Sequence, residues 1–354
     1  MRLRAPFVFA ALFVLSLTHT ASAQQPDRDS SSAARVSALL GVLADDSMEG
    51  RDTGSRGGAA AARFIAAELE RAGLRPAGDS GWFQRVPLAR VTITLQNGQT
   101  RRSMRLQPDV ATRDTFPAAD RVTAVNVVGL LPGSDPTLNN DVIVIDAHYD
   151  HIGIAATPIN GDSIFNGADD DASGTVAVME VARMLAGSRP RRTVIFLLST
   201  GEERGLLGTR WFIDHPVVPF ERIVANLEIE MIGRPDSLAG GAGKAWLTGY
   251  DRSTMGQLLR DNGIPLVSDP RPDQHFFERS DNIAFARRGV PAHTISSYNL
   301  HADYHRVTDE VRLVDAAHMA AVINATARAA QLLANGPVPT WLPGGQPVAP
   351  APRP

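Results

Sequence analysis

Three short, nearly continuous apolar runs constrain this chain most: D-V-I-V-I-D at 141–146, T-V-I-F-L-L-S at 193–199, and the β-rich stretch 223–231. Residues 175–185 and 206–214, lying between them, carry apolar residues at helical spacing. Strands that alternate with helices predict βαβ units, hence an α/β fold whose central mixed, largely parallel sheet is flanked by helices on both faces. Crossovers in such a sheet are right-handed, and ligands bind beyond the carboxyl ends of its strands. Upstream, 36–44 and 58–71 read as helices, M-E-G-R-D-T-G-S-R-G-G between them as a loop, and 86–106 as half-buried strands.

The carboxyl ends of the three runs carry the same kinds of side chain. His148-Tyr149-Asp150-His151 comes after the first, Glu202-Glu203 after the second, and Glu228-Ile229-Glu230 closes the third. The first long helix opens on Asp169-Asp170-Asp171. Three strands therefore deliver histidines and carboxylates to one edge of the sheet. Carboxylates this crowded repel one another unless positive charge sits among them. The chain contains 0 cysteines, so a metal here is held by imidazole and carboxylate alone. That donor set suits Zn²⁺, Mn²⁺ or Co²⁺, and its many anionic charges suit two ions rather than one. The helix starting near Ala172 adds a weaker positive field through its first amides.

Residue types suggest roles. Successive side chains on an extended backbone point apart, so one of Glu202 and Glu203 binds metal while the other faces bound water as a general base. Ala302-Asp303-Tyr304-His305 supplies a further imidazole, with a phenol beside it suited to stabilising an oxyanion. Asp169 and Asp171 read as loop or cap residues. Glu228 and Glu230 share a strand face, and the Met-Ile-Gly next in sequence favours Glu230 as the ligand. His151 and His301 lie near the site by sequence alone, and His215, His275 and His293 read as packed or surface residues. Asp281 is either a pocket residue or a helix cap, and Phe276, Phe277 and Tyr298 are candidates for a pocket wall. G-G-A-G-K at 240–244 lacks the first glycine of a phosphate loop, and no G-x-S-x-G elbow is present.

Thirty-five basic against 38 acidic residues give a net charge of −3, which offers no electrostatic reason to expect nucleic acid or an anionic membrane as partner. Residues 1–23 have the basic start, apolar centre and Ala-Ser-Ala end of a cleaved secretory signal. This predicts an exported protein, periplasmic or extracellular, with no membrane anchor after cleavage. Residues 24–34 read as a disordered leader, 35–335 as one catalytic domain, and the Pro-rich 336–354 as a disordered tail.

Taken in order, H-Y-D at 148–150, G-A-D-D-D-A-S-G at 167–174, G-E-E at 201–203, E-M-I-G at 230–233 and Y-H-R-V-T-D at 304–309 resemble the M28 family of zinc exopeptidases, the secreted bacterial aminopeptidases in particular. M-E-G-R-D-T-G-S, N-V-V-G-L-L-P-G-S at 126–134 and R-S-D-N-I-A-F-A-R-R-G-V-P-A at 279–292 are similar as well, so the likeness covers nearly all of 35–330. The resemblance implies the zinc-exopeptidase fold and two Zn²⁺ per chain. It implies His148 and Glu230 on one ion, His305 and Glu203 on the other, and Asp170 bridging them. It also implies Glu202 as general base, Tyr304 as oxyanion donor, Asp150 orienting His148 and a cis Asp170–Asp171 peptide. The implied reaction is hydrolysis of the N-terminal residue from peptides or proteins. A carboxypeptidase, a single-zinc glutaminyl cyclase of the same fold, and a catalytically silent binding domain are the alternatives. Many members carry Asp where this chain has Glu230, a longer but still hard oxygen donor. Asn282 stands where relatives often have another polar residue or His.

Overall fold

Alternate residues of the apolar runs part to opposite faces of a sheet. Ile143, Ile145 and Ala147 pack into one helical layer, whereas Val142 and Val144 pack into another. This is the period-two geometry of a strand buried on both sides. The computed structural model describes residues 30–95 and 97–348. The expected signal segment 1–23 lies outside these residues.

In chain order the strands are β1 (Arg75–Pro76), β2 (Phe83–Thr94), β3 (Thr100–Leu106), β4 (Arg121–Leu131), β5 (Val142–His148), β6 (Gly153–Ile159), β7 (Asp162–Phe165), β8 (Thr193–Ser199), β9 (Ile223–Ile229), β10 (Ala245–Leu247), β11 (Leu266–Ser268) and β12 (Ala292–Ser296). The helices are α1 (Ala33–Leu43), α2 (Arg56–Ala72), α3 (Val110–Arg113), α4 (Gly174–Ser188), α5 (Leu207–Asp214), α6 (Thr254–Asp261), α7 (Asn282–Arg287) and α8 (Ala316–Asn335). The main sheet runs β11-β10-β12-β9-β5-β8-β4-β2-β3, with β1 paired to β4, while β6 and β7 form a separate ribbon. Its centre, β12-β9-β5-β8, is parallel. The β8-β4-β2-β3 flank and the β10–β12 pair are antiparallel. One face carries α1, α2, α4, α6 and α8, the other α5 and α7.

The parallel centre explains why the reactive residues meet. His148 lies opposite Ser199, and Asp146 lies opposite both Leu197 and Glu228. The chain leaving β5, β8 and β9 therefore emerges on one edge.

Two boundaries read from the sequence require correction. The segment 24–34 was expected to be a disordered leader, yet α1 begins at Ala33 with Ser32 capping it, and Ser31 is buried with its hydroxyl 2.8 Å from Glu180 Oε2. The Pro-rich tail expected from 336 packs on the domain through residue 345. Trp341 pairs with Ser253 and donates its indole N–H to Gly289 O at 2.9 Å, and Arg252 Nη1 reaches Gly345 O at 3.2 Å. An indole lying 5.8 Å from the His293 ring and 6.4 Å from that of Phe277 buries apolar area that proline spacing alone does not reveal. Among the described residues no helix is long and apolar enough to cross a membrane.

His293 on β12 is fully buried, its Nδ1 2.8 Å from Thr248 O and its Nε2 2.6 Å from Ser253 Oγ. Nδ1–H donates to the carbonyl, and Nε2 accepts from the hydroxyl. Burial pushes this imidazole down to about 4, whereas an unfolded chain titrates near ~6.5. Between these values the unfolded state binds the extra proton, so stability rises with pH and is lost on acidification, by about 3 kcal/mol from this residue. Urea unfolding of wild type and His293→Gln from pH 7 to pH 4 should differ in slope by about one proton; parallel curves would show that His293 does not carry the effect.

Candidate active site

β5 ends at His148, whose Nδ1 lies 3.0 Å from the backbone O of Asp150. The ring N–H donates to that carbonyl, which leaves Nε2 buried, without a hydrogen bond, and 3.5 Å from Asp170 Oδ1. The family resemblance implied an orienting role for the Asp150 carboxylate. Its Oδ1 stands farther from Nδ1, at 3.8 Å, because the carboxylate accepts instead from Thr53 Oγ1 at 2.9 Å and Glu202 N at 3.1 Å. Asp150 thus orients His148 through its main chain, and its side chain ties the M-E-G-R-D-T-G-S loop to the G-E-E turn.

The three consecutive aspartates divide their tasks. Asp169 Oδ1 accepts from Gly233 N at 2.6 Å, and its Oδ2 faces His301 Nε2 at 2.9 Å. Asp171 Oδ1 accepts from Gly174 N at 2.9 Å and Met231 N at 3.0 Å, which fixes it as a cap of α4. The middle residue, Asp170, faces the cluster, and the Asp170–Asp171 peptide is cis. The helix therefore starts two residues later than Ala172, after a distorted turn over Ala168–Ser173. Gly174 is required there, since a Cβ would lie 2.1 Å from Ile229 O.

Two donor groups meet at Asp170. In the first, His148, Asp170 and Glu230 bring ligand atoms within 4.8 Å of one another; in the second, His151, Asp170 and Glu203 do the same. His305 joins the second group, with Nε2 3.0 Å from Asp170 Oδ2 and 3.4 Å from Glu203 Oε1. All five residues singled out as ligands in the sequence are thus brought together. His151, set aside there, is added: it is fully buried with Nδ1 2.7 Å from Glu203 Oε1. The close packing of its ring against Gly167, which has φ 52° and no room for a Cβ, holds it in place.

Glu228 is occupied elsewhere. It accepts from Ser280 Oγ, the amides of Asp281 and Asn282, and Thr294 Oγ1, so Glu230 is the member of that pair left to the cluster. With Asp146 and Asp281 it forms a buried acidic group that includes no histidine. Asp281 accepts from Ser199 Oγ, and burial, reinforced by Glu228, pushes it up to about 7.

Sequence reasoning missed Arg51, buried at 1% exposure. Its guanidinium donates to four carbonyls, those of Leu43, Tyr149, Asn166 and Gly167, and so clamps the β5 exit to the turn that carries Asp170. A buried cation spent wholly on carbonyls is invisible to motif spacing. Asp309, from the Y-H-R-V-T-D stretch, accepts from the amides of both Asp169 and Asp170.

The electrostatics of the cluster demand positive charge. Burial and Glu228 push Glu230 up to about 8. Burial opposes protonation of His305, but Asp170 and Glu203 carry it up to about 10. Burial likewise raises Glu202 well above the ordinary carboxylate range, with Glu230 adding to the effect against His148. Protons meet this demand unless cations do. The buried Nε2 atoms of His148 and His151 lack hydrogen bonds, and the donor set is all nitrogen and carboxylate oxygen, so the residues present fit a pair of dications of the zinc type.

Beside the cluster a pocket is walled by Trp246, Phe276 and Tyr298, and Glu202 and Tyr304 face into it. Phe277, a candidate for this wall, packs instead behind it, with Ile283 and Phe285. Tyr304 stacks on His305 with ring centres 3.9 Å apart. Burial and Asp170 raise its phenol, which stays protonated as a hydrogen-bond donor.

The model of peptidase family M28 matches residues 126–330, the span that holds every member of the two donor groups. The chain belongs to peptidase family M28. Leucine aminopeptidase 2 of Arthroderma otae is 31% identical over 175 residues, which cover 48% of this M28 chain and 33% of the fungal protein. This M28 chain spans between 20% and 36% of the length of the curated relatives it matches. Among solved structures, the aminopeptidase from Aneurinibacillus sp. strain AM-1 superposes with a TM-score of 0.63 at 15% identity, covering 91% of this chain and 98% of that one. Porphyromonas gingivalis glutaminyl cyclase gives 0.58 at 16% identity, covering 85% and 98%. At such identities the likeness shows the M28 fold alone.

Proposed function

We propose that this M28 peptidase is a two-zinc aminopeptidase that removes the N-terminal residue from peptides. One observation carries the reading: two histidine–carboxylate groups share Asp170, while Glu202 belongs to neither and faces the same pocket as Tyr304. His148 and Glu230 would hold one zinc, Glu203 and His305 the other, with Asp170 between them and His151 at the second. Bound there, two dications supply a water of lowered pKa and a Lewis acid for the scissile carbonyl. Glu202 takes the proton of the attacking water and returns it to the leaving amine. The Tyr304 hydroxyl donates to the tetrahedral oxyanion. Trp246, Phe276 and Tyr298 receive the side chain of the N-terminal residue, which favours an apolar one.

Glutaminyl cyclase is the competing activity within this fold. The completeness of both donor groups supports the two-ion hydrolase instead, and it equally opposes a silent binding domain. Export is proposed on the secretory pattern of residues 1–23, and Mn²⁺ or Co²⁺ suits the same donors.

A panel of aminoacyl-anilides tests the activity. Substrates with apolar N-terminal residues should be cleaved, activity should fall to background with chelator, and added zinc should restore it. Cleavage indifferent to chelator, or none with zinc-loaded protein, would defeat the reading.

A further inference from the structure

Tyr304 and His305 stand on a stretch with little regular structure of its own. Between β12, which ends at Ser296, and α8, which starts at Ala316, the chain forms neither strand nor α-helix. His305 lies at φ 56°, a backbone state that a non-glycine residue keeps only where its surroundings enforce it. One guanidinium braces this stretch on both sides of the pair. Arg234, four residues after Glu230, donates from Nη1 to Asp303 Oδ2 at 2.7 Å and from Nη2 to Asp309 Oδ1 at 3.2 Å. Asp303 directly precedes Tyr304, and Asp309 lies four residues after His305. Each carboxylate has a further contact: Asp303 Oδ1 accepts from Thr308 Oγ1 at 2.6 Å, and Asp309 Oδ2 from the amides of Asp169 and Asp170 at 3.0 and 3.1 Å. The backbone of Arg234 is anchored separately, because Ser297 Oγ donates to its carbonyl at 2.8 Å.

The guanidinium thus joins three segments that bear candidate ligands: the exit of β9 with Glu230, the loop with His305, and, through Asp309, the turn with Asp170. Neutralising charge does not account for the arrangement. Asp303 is partly exposed, where an ion pair contributes little to stability. A lysine would also supply the charge, but as a point, whereas the planar fork engages two carboxylates from fixed directions. We propose that Arg234 is a positioning residue: by bridging Asp303 and Asp309 it fixes the loop that presents His305 to the second zinc. The inference rests on the two-zinc reading. The Asp170 turn keeps supports that do not involve the guanidinium, from Asp309 Oδ2 and from the amide of Gly233 to Asp169 at 2.6 Å. Loosening the Asp303 arm therefore frees the His305 loop while His148, Asp170 and Glu230 stay in place.

Zinc affinities of the full-length protein, measured by competition with a chelator, separate positioning from mere stabilisation. Asp303→Asn keeps the shape of the side chain and an acceptor for Thr308, cuts one arm of the brace at a partly exposed site, and leaves the buried Arg234–Asp309 pair intact. Arg234→Lys keeps the charge and loses the fork. Each should weaken one of the two zinc ions by about 10–100-fold and leave the other unchanged, and metal-free Asp303→Asn should melt with metal-free wild type. His305→Ala identifies which ion is affected. In that background Asp303→Asn should cause no further loss, because a brace acting through His305 has nothing left to position. Equal weakening of both ions, wild-type affinities in either variant, or losses that add in the double variant would overturn the assignment. Wild-type protein reports separately on the two-zinc reading: a single ion there contradicts that reading, whereas two ions with unaltered affinities in the variants contradict only the role of Arg234.

Discussion

Glu202→Gln is expected to retain zinc while turnover falls by a factor on the order of 10²–10⁴. The substitution keeps the shape of the side chain and removes only its capacity to take a proton. The backbone of residue 202 is anchored independently, through its N–H to Asp150 Oδ1 at 3.1 Å, so the amide should occupy the place of the carboxylate. Glu202 belongs to neither donor group, which is why zinc content should not change. The comparison is kcat on leucine anilide beside elemental zinc analysis of the same preparations. Unchanged kcat would remove Glu202 from proton transfer; lost zinc would make it a ligand.

Asp170→Asn should be more severe. Asp170 is the one residue common to both donor groups, and an amide is a poor substitute for a bridging carboxylate. Zinc should fall below one ion per chain and turnover should drop by about 10³-fold or more, since general-base catalysis loses its water as well. The fold itself should tolerate the change. In the metal-free protein Asp170 pairs with His305 Nε2 at 3.0 Å, so the metal-free variant should melt somewhat below metal-free wild type. The distinguishing readout is zinc-induced stabilisation. Wild type should gain about 4 kcal/mol at free zinc a thousandfold above Kd, and the variant almost none. Equal stabilisation of both proteins would show that zinc binds elsewhere.

Much of this was legible in the sequence because the site is built at strand ends. A run such as T-V-I-F-L-L-S announces a buried parallel strand, and the residues just after it are then confined to one edge. Glu230 was separable from Glu228 by the residues after it, and the contacts of Glu228 with four donors give the physical reason. The features that stayed hidden depend on three-dimensional closure. His151 enters the cluster from the irregular segment between β5 and β6, and spacing does not report where such a segment aims a side chain. Asp150 acts through a carbonyl that every residue has. Arg51 satisfies main-chain groups from three separate segments. The tail was read as disordered, but its single indole found a docking site beside His293 that composition does not encode. Trp246 joined the pocket from β10, a strand of three residues and too short to stand out in hydropathy.

The central claim is that two cations sit at Asp170, one in each group of donors. Elemental analysis of full-length protein, loaded with zinc and dialysed free of excess, measures this directly. Two zinc ions per chain is the expected result; one, as a cyclase-like site would hold, or none, as a binding domain would hold, contradicts it.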